Sequence, residues 1–599
     1  MTFARLLCTV TVALLLACGP GGTAPPANPD GQAPGTNDPL IPPERAPATE
    51  QPPDNGLPKP RPPDPPPEPE EQRPFVLPQV QQSLQDYELI LPPGVLEKFL
   101  ADKNTPEQDA VFRCEGVSHP VKVRLRGASA RDFPKKSWNV SFEGDDKFEG
   151  RTSLNLVAEY SDASMLAEKV SYDLLAALRV PAPRTKYVRL KLNGRYEGVF
   201  LDIEQVNKSF LRAHDFADPD ATIYRAGWKD TELKLRSWKV PYQGDWVKKT
   251  NEQESNEALD DVLYVINRTP EPELAGALAQ NLELEVYLRS MVMDALMANN
   301  YVEDSESYFI HDKVKGRWVY VAWDLNNVDA RWWYEIPLVE DQEPIYKHPL
   351  FPFTLTDGVV AARYEGRKSI HPDYLPVFSN LGTRVVMNPE LRARLVARLD
   401  KAMSELFTPE VLGAYMDKLH ALLAPHMAAD PYMDYAKFQA GRAWMQNFLR
   451  LRRAFVLKEL ERYRASRPGL VVEALDARAG WVELRNRGSS PVALGGMVLT
   501  TNLRRSIPAL LRPELPADPP SETPTYGPPQ GAVLSEHSLA PGERVRFTAS
   551  ELGLTFTPDG ELGVFDGKSV VGMKDVLFYG KLPAGKHYER AGDGTWQVR

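Results

Sequence analysis

Two neighbouring stretches, Val121–Phe142 (VKVRLRGASARDFPKKSWNVSF) and Leu154–Lys169 (LNLVAEYSDASMLAEK), constrain this chain more than any other part of it. They set out, in order, a basic strand, a glycine-containing turn, a lysine pair and a helix bearing a glutamate. Gly127 in Arg126–Arg131 allows backbone angles that other residues avoid, and Ser129 adds a hydroxyl donor. Such a turn can present N–H groups to phosphates, although a glycine between two strands is more often simply a turn. Strand alternation puts Lys136 on the face of Trp138, Val140 and Phe142, with Lys135 on the face of Ser137 and Asn139. A lysine on an apolar face needs a counter-charge. Glu168, on the Met165–Tyr172–Leu175 stripe of the following helix, is the expected partner. The plainer reading is a solvated lysine and a surface glutamate. A turn over phosphates, a cation against them and an anion holding the cation are the parts needed to grip a nucleotide.

Periodicity extends the plan into an α+β fold. Strand-like runs at Tyr87–Ile90, Ala110–Cys114, Val121–Arg126 and Ser137–Phe142 precede a helix expected from about Asp162 to Leu178. Ser161 or Asp162 can cap it, and Val180-Pro181-Ala182-Pro183 stops it. Tyr187–Leu192 and Tyr196–Ile203 flank Asn193-Gly194, a strong hairpin signal. From Leu282 the pattern turns helical, interrupted by a hairpin of Tyr308–His311 and Trp318–Trp323. Helices are expected around Asn388–Leu406, Pro409–Leu423, Asp434–Gln446 and Asn447–Ser466. After Arg467-Pro468 the chain breaks into short strands separated by Pro and Gly, which predicts a β-sandwich over 469–599. The divisions are therefore 1–18, 19–73, 74–210, 211–466 and 469–599.

The first of these reads as a secretory signal. Arg5 supplies a positive start, Leu6–Leu16 is mostly apolar, and the run is too short to span a bilayer comfortably. Gly19 to about Arg73 is Pro, Gly, Asn, Asp and Glu with almost no aliphatic residues, so it cannot offset the entropy of ordering. Its PRPPDPPPEPE run favours extended polyproline II, a spacer. Three cysteines, of which Cys8 and Cys18 fall in the signal, leave Cys114 alone, so no disulfide framework or Cys-based metal site is available. A net charge of −10 argues against a nucleic-acid partner. Nine histidines without HxxxH or HExxH spacing give no support to a zinc hydrolase.

The quoted words closely resemble the spore coat protein H (CotH) kinase family, whose pattern reads RGxSxRxFPKKS and then EYSDxSxxxEK. Tyr196–Val206 resembles the family's next block, GxYxGxYxxxEQV, and Trp323-Asp324-Leu325 resembles its WDLD. The resemblance covers roughly Tyr87 to Leu460. It implies an atypical protein-kinase-like two-lobed fold that uses ATP with Mg2+ (or Mn2+) and phosphorylates Ser/Thr hydroxyls of surface proteins. On it, Arg126, Ser129 and Lys136 face phosphates and Glu168 positions the lysine. Glu204 either ties the lobes together or touches ribose. Asp324 is the expected metal ligand, with Asn326 and Asp329 secondary; magnesium wants hard oxygen ligands, commonly one or two carboxylates plus phosphates.

Upstream the chain departs from the family's N-[WY]-D-x-x-x-x-N-[YF]. Val302 stands at the aspartate position and Ser307 at the asparagine position, so Glu303 or Asp304 would have to act as base. These departures favour a second reading, a weak kinase, a pseudokinase or a non-catalytic envelope protein. Leu15-Leu16-Ala17-Cys18 resembles the bacterial lipobox, which implies lipidation of Cys18 and an extracytoplasmic, membrane-anchored location. Gly480–Asn486 and Ser490–Gly496 resemble the start of a lamin-tail domain, an immunoglobulin-like module.

Overall fold

The structure is a computed structural model that describes residues 73–127, 129–226, 233, 246–299, 307–326, 346–351, 380–464, 469–501, 531–567 and 573–599. Cys18, Glu303, Asp304, Val302 and Asp329 lie outside the described residues.

Seven strands open the described chain: β1 (Gln85–Ile90), β2 (Gln108–Cys114), β3 (Val117–Leu125), β4 (Trp138–Phe142), β5 (Ser153–Val157), β6 (Thr185–Leu192) and β7 (Arg195–Glu204). They close into a barrel in the order β1-β2-β3-β4-β5-β7-β6, with β1 and β6 paired in parallel and the other neighbours antiparallel. Alternate residues such as Tyr87, Phe112, Val123, Val140, Leu156 and Phe200 fill its interior. Phe99 of α1 (Val95–Ala101) meets Trp138 edge-on at 5.5 Å. The Asn193-Gly194 turn forms as read, with both residues at positive φ (50° and 81°), as a two-residue hairpin of this twist requires. β5 went unread although Ser153 and Asn155 alternate with Leu154 and Leu156; the strand is only five residues long and Asn155 is buried. Leu154 and Leu156 point into the barrel, while Val157 joins the other core.

The helix expected from Asp162 begins five residues later, as α2 (Ala167–Ala177). Leu166 holds its N-cap position without a side-chain bond, and the Asp162 carboxylate accepts from Ser164 N at 2.9 Å and from the first helical N–H, that of Ala167, at 2.9 Å. The turn between them is not helical, because Met165 is left-handed at φ 59°.

The second lobe contains α3 (Lys208–Ala213), β8 (Thr222–Ala226), β9 (Trp246–Lys248), α4 (Glu257–Arg268), α5 (Leu274–Asn281), α6 (Leu284–Met297), β10 (Ser307–Asp312) and β11 (Arg317–Ala322). Then follow α7 (Asn380–Met387), α8 (Pro389–Glu405), α9 (Ala414–Met427) and α10 (Tyr435–Arg464). The expected hairpin is one half of a four-stranded sheet, β11-β10-β8-β9. The two expected terminal helices are a single one. Buried Trp444, Met445, Phe448, Leu449, Arg452 and Val456 run through the supposed junction at helical spacing, with neither Gly nor Pro to break it. α2, the outer faces of β6 and β7, this sheet and the helices share one core. Among the described residues no helix is long and apolar enough to cross a membrane.

Asp430, between α9 and α10, pins the lobes together. Its Oδ2 accepts from Lys135 Nζ at 2.9 Å and from Val199 N at 3.0 Å, and neither charged side chain is exposed. Lys135 Nζ also donates to Val199 O at 2.6 Å. Gly198 makes room: at φ 110°, its missing Cβ would stand 2.1 Å from Asp430 Oδ2.

Beyond residue 469, β12 (Leu470–Asp476), β13 (Trp481–Asn486), β14 (Val492–Ala493), β15 (Val498–Thr500), β16 (Ala532–Val533), β17 (Ser538–Leu539), β18 (Arg544–Thr548), β19 (Gly560–Phe565), β20 (Met573–Tyr579), β21 (Tyr588–Arg590) and β22 (Trp596–Val598) form a five-stranded sheet (β18-β13-β12-β21-β22), a four-stranded sheet (β16-β15-β19-β20) and a β14-β17 pair. Val472, Leu484, Leu499, Leu562 and Leu577 of the two larger sheets share one core. This body rests on the helical lobe through Arg384, whose guanidinium lies 4.2 Å over the Phe578 ring and 3.0 Å from Glu271.

Candidate active site

The candidate residues approach each other where the end of β3, the start of α2 and the end of β11 meet. β3 hands over to Arg126, whose backbone N still donates to Ser137 O at 2.9 Å. Gly127 then turns at φ 98°, where a Cβ would press 2.8 Å from that of Ala130. Ser129 opens the short helical turn Ser129–Asp132. The Arg126 guanidinium stands 5.5 Å from the centre of the Trp323 ring, beside Asp324.

Glu168, in the first turn of α2, is 1% exposed, and Glu159, just after β5, is 5% exposed. Neither oxygen of Glu168, nor Oε1 of Glu159, meets an N–H or hydroxyl donor. The two carboxyls lie near enough for each to act on the other's ionisation. Burial pushes Glu159 up to about 7, with Asp162 and Asp324 adding to the shift and Glu168 and Arg126 opposing it. Burial first, and then the Glu159 charge, hold Glu168 well above the ordinary carboxylate range. Both carboxyls therefore keep their protons to higher pH than exposed glutamates do. Asp324 is half-buried at φ 54°. Its backbone N donates to the Tyr172 hydroxyl at 3.2 Å, and its Oδ1 accepts from Asn326 Nδ2 at 2.9 Å. Tyr172 lies on α2 one turn beyond Glu168, so α2 holds both the buried acid and the backbone of Asp324. Ser307 sits opposite Ala322 on the β10–β11 hairpin, two residues before Asp324.

The Lys136–Glu168 pair does not form. Lys136 is half-buried and its Nζ donates to Arg131 O at 2.8 Å. β4 starts only at Trp138, after a bend at 133–135, so strand alternation could not be carried back to the lysines. The buried lysine is Lys135, and it belongs to Asp430. The cation acting on Glu159, Glu168 and Tyr172 is Arg126. Glu204 is fully engaged: its oxygens take Arg184 Nε at 3.1 Å, Arg184 Nη2 at 2.6 Å and His214 Nε2 at 2.9 Å. Burial alone would raise its carboxyl, yet bonds from His214 and Arg184 bring it down to about 2. It ties β7 to the segment before β6 and to the end of α3, which leaves the structural role.

Glu159, Tyr172 and Lys135 were not singled out from sequence as site residues. Glu159 is the first letter of the same EYSD word whose later glutamate drew attention, and Tyr172 lies on the stripe that placed Glu168. Among the described residues no three His, Cys, Asp or Glu side chains are set to cage a metal. Magnesium in a phosphate site needs only one or two carboxylates, so Asp324 beside the acid pair fits such an ion.

A sheet-rich lobe and a helical lobe, with a cation, a buried acid on α2 and an aspartate after a hairpin between them, define an atypical kinase-like protein. The family model described as CotH kinase protein matches residues 123–456, and the chain belongs to that family. The inner spore coat protein H of Bacillus subtilis (strain 168) is 25% identical over 361 residues, 59% of this chain and 90% of that protein. An inner spore coat protein H-like protein of the same organism is 20% identical over 320 residues, covering 53% and 82%. The crystal structure of a Helicobacter pylori proinflammatory kinase, CtkA, covers 55% of this chain and 95% of its own at 11% identity and a TM-score of 0.26, too loose a likeness to carry an argument.

Proposed function

We propose that the chain is a CotH-type kinase of the cell envelope that transfers the ATP γ-phosphoryl group to a Ser/Thr hydroxyl of a surface protein. The observation that carries this reading is the buried Glu159–Glu168 pair, in which both Glu168 oxygens and Glu159 Oε1 meet no donor, set beside Asp324 and Arg126. Arg126 and the backbone of the Gly127–Ser129 turn would face the phosphates. Asp324 would hold Mg2+ or Mn2+, which supplies charge neutralisation on the phosphates when bound. Glu303 or Asp304 would accept the hydroxyl proton as its oxygen attacks the γ-phosphorus and ADP leaves. Positioning and charge stabilisation dominate such transfers, so a base displaced by one or two residues is tolerable.

The amino-terminal signal, the lipobox-like Cys18 and the proline-rich spacer support an extracytoplasmic protein tethered by lipid. The carboxy-terminal sheets, with the Gly480–Asn486 motif on β13, support an immunoglobulin-like, lamin-tail-like module. The departures at Val302 and Ser307 favour a second reading, a pseudokinase. The full chain incubated with radiolabelled ATP, Mg2+ or Mn2+ and a mixture of envelope proteins decides between them. Label transfer that Asp324→Ala abolishes supports the kinase. Nucleotide-dependent thermal stabilisation without transfer supports the pseudokinase, and neither response with several nucleotides and metals refutes both.

A further inference from the structure

One end of the carboxy-terminal sandwich holds a cavity of about 470 Å3, between the turn that follows β12 and the loop that joins β20 to β21. That volume lies within the range of pockets that enclose small ligands. Arg478 comes from the turn, and Lys581 and Lys586 come from the loop. All three are exposed and none has a carboxylate partner among the described residues. Asp476 is the one carboxylate in the lining, and its Oδ1 already accepts from Ala479 N at 2.8 Å. The mouth is therefore cationic in a chain whose net charge is −10. Anions are concentrated at such a spot against the field of the whole molecule.

The floor has a different character. Phe556 and Tyr588 are mostly buried and line it together. The Tyr588 hydroxyl accepts from Gly580 N at 2.9 Å and donates to Gly580 O at 3.3 Å, which fixes the root of the loop next to Lys581. At the other end Lys586 N donates to Pro583 O at 3.2 Å, and His587 and Arg599 exchange backbone bonds of 3.2 and 2.9 Å. Both lysines thus stand on a loop closed by its own hydrogen bonds, so the pocket is formed in advance.

We propose that this cavity binds an acidic monosaccharide, with its ring against Phe556 and Tyr588 and its carboxylate or phosphate toward Arg478, Lys581 and Lys586. Arginine and lysine at one mouth suit an oxyanion, the first by its fork and the second as a point charge. The remaining oxygen of Asp476 is an acceptor in the same wall. It matches the hydroxyls of a sugar, which a purely aromatic acid does not offer. The site is separate from the kinase cleft, and the inference does not rest on the kinase reading.

Isothermal titration calorimetry of the full chain with glucuronate and glucose 6-phosphate tests it, with glucose and inorganic phosphate as controls. At least one acidic sugar should bind, with glucose giving no saturable heat. A Lys581→Ala/Lys586→Ala double variant, with both changes at exposed loop positions, should lose roughly tenfold or more in affinity while keeping its melting temperature. No binding of either acidic sugar overturns the proposal, as does equal binding by the variant, which would place the sugar elsewhere. Inorganic phosphate binding as tightly as the sugars reduces the site to ion attraction and also overturns it. Tighter binding of a phosphoserine peptide than of either sugar does so in favour of a peptide ligand.

Discussion

At the scale of single residues, the cleft exchanges one cation for another. Lys136 looked like the phosphate lysine because alternation was extended past the true start of β4, and two residues of irregular chain reversed the faces. Only the bend at 133–135 decides this, and bends leave little periodic trace. Arg126 and Asp324, by contrast, were legible as motif letters at strand ends. With ATP and magnesium, thermal stabilisation of the full chain should vanish in Arg126→Ala and in Asp324→Ala, while Lys136→Ala keeps most of it. Loss in Lys136→Ala alone would reverse the assignment. Asp294 of α6 offers a second test. Burial pushes its carboxyl from 3.8 up to about 7, although the Asn299 amide donates to it at 2.7 Å. The folded state keeps a proton that the unfolded chain has lost across that interval, so this residue lowers stability as pH rises from about 4 to 7. Urea midpoints should show Asp294→Asn gaining on the parent protein between pH 4 and pH 8. A constant difference over that range would mean the group titrates normally.

Elements explain why some parts could be read and others not. β6 and β7 announced themselves through alternation and Asn193-Gly194, whereas β5 offered only the short alternation Ser153-Leu154-Asn155-Leu156. The helices expected at Asp434–Gln446 and Asn447–Ser466 are the one helix α10, whose buried stripe continues unbroken. Gly441 on that helix shows what packing demands. Alanine there would place a Cβ 2.7 Å from Ser164 Cα, in the turn that leads into α2. In an isolated helix Gly→Ala is worth about 1 kcal/mol of stabilisation. Here the clash is with backbone, so Gly441→Ala should destabilise by roughly 1–3 kcal/mol in chemical denaturation. It should also weaken nucleotide binding, because Glu168 and Tyr172 ride on the displaced helix. A stabilised Gly441→Ala protein would show that the turn yields freely.

For the whole molecule, the decisive contact is Lys135 with Asp430, a pair separated by 295 positions that no local pattern could join. Burial lowers the lysine's proton affinity and Asp430 restores part of it. Removing one partner should cost about 3–5 kcal/mol, because the other charge is left buried. Lys135→Met and Asp430→Asn should therefore each be markedly less stable in urea, and the double variant less impaired than the two losses added together. Simple additivity would mean that the pair is not energetically coupled. The ring of seven strands carries a different consequence. Since β1 bonds to β6, the described strands of the first lobe leave no free main-chain edge on which a foreign strand could grow. A regulator or substrate cannot dock on that lobe by lengthening its sheet; it must grip side chains. The same closure withholds a template for fibril growth, a durable trait wherever no chaperone is at hand to undo a mistaken pairing.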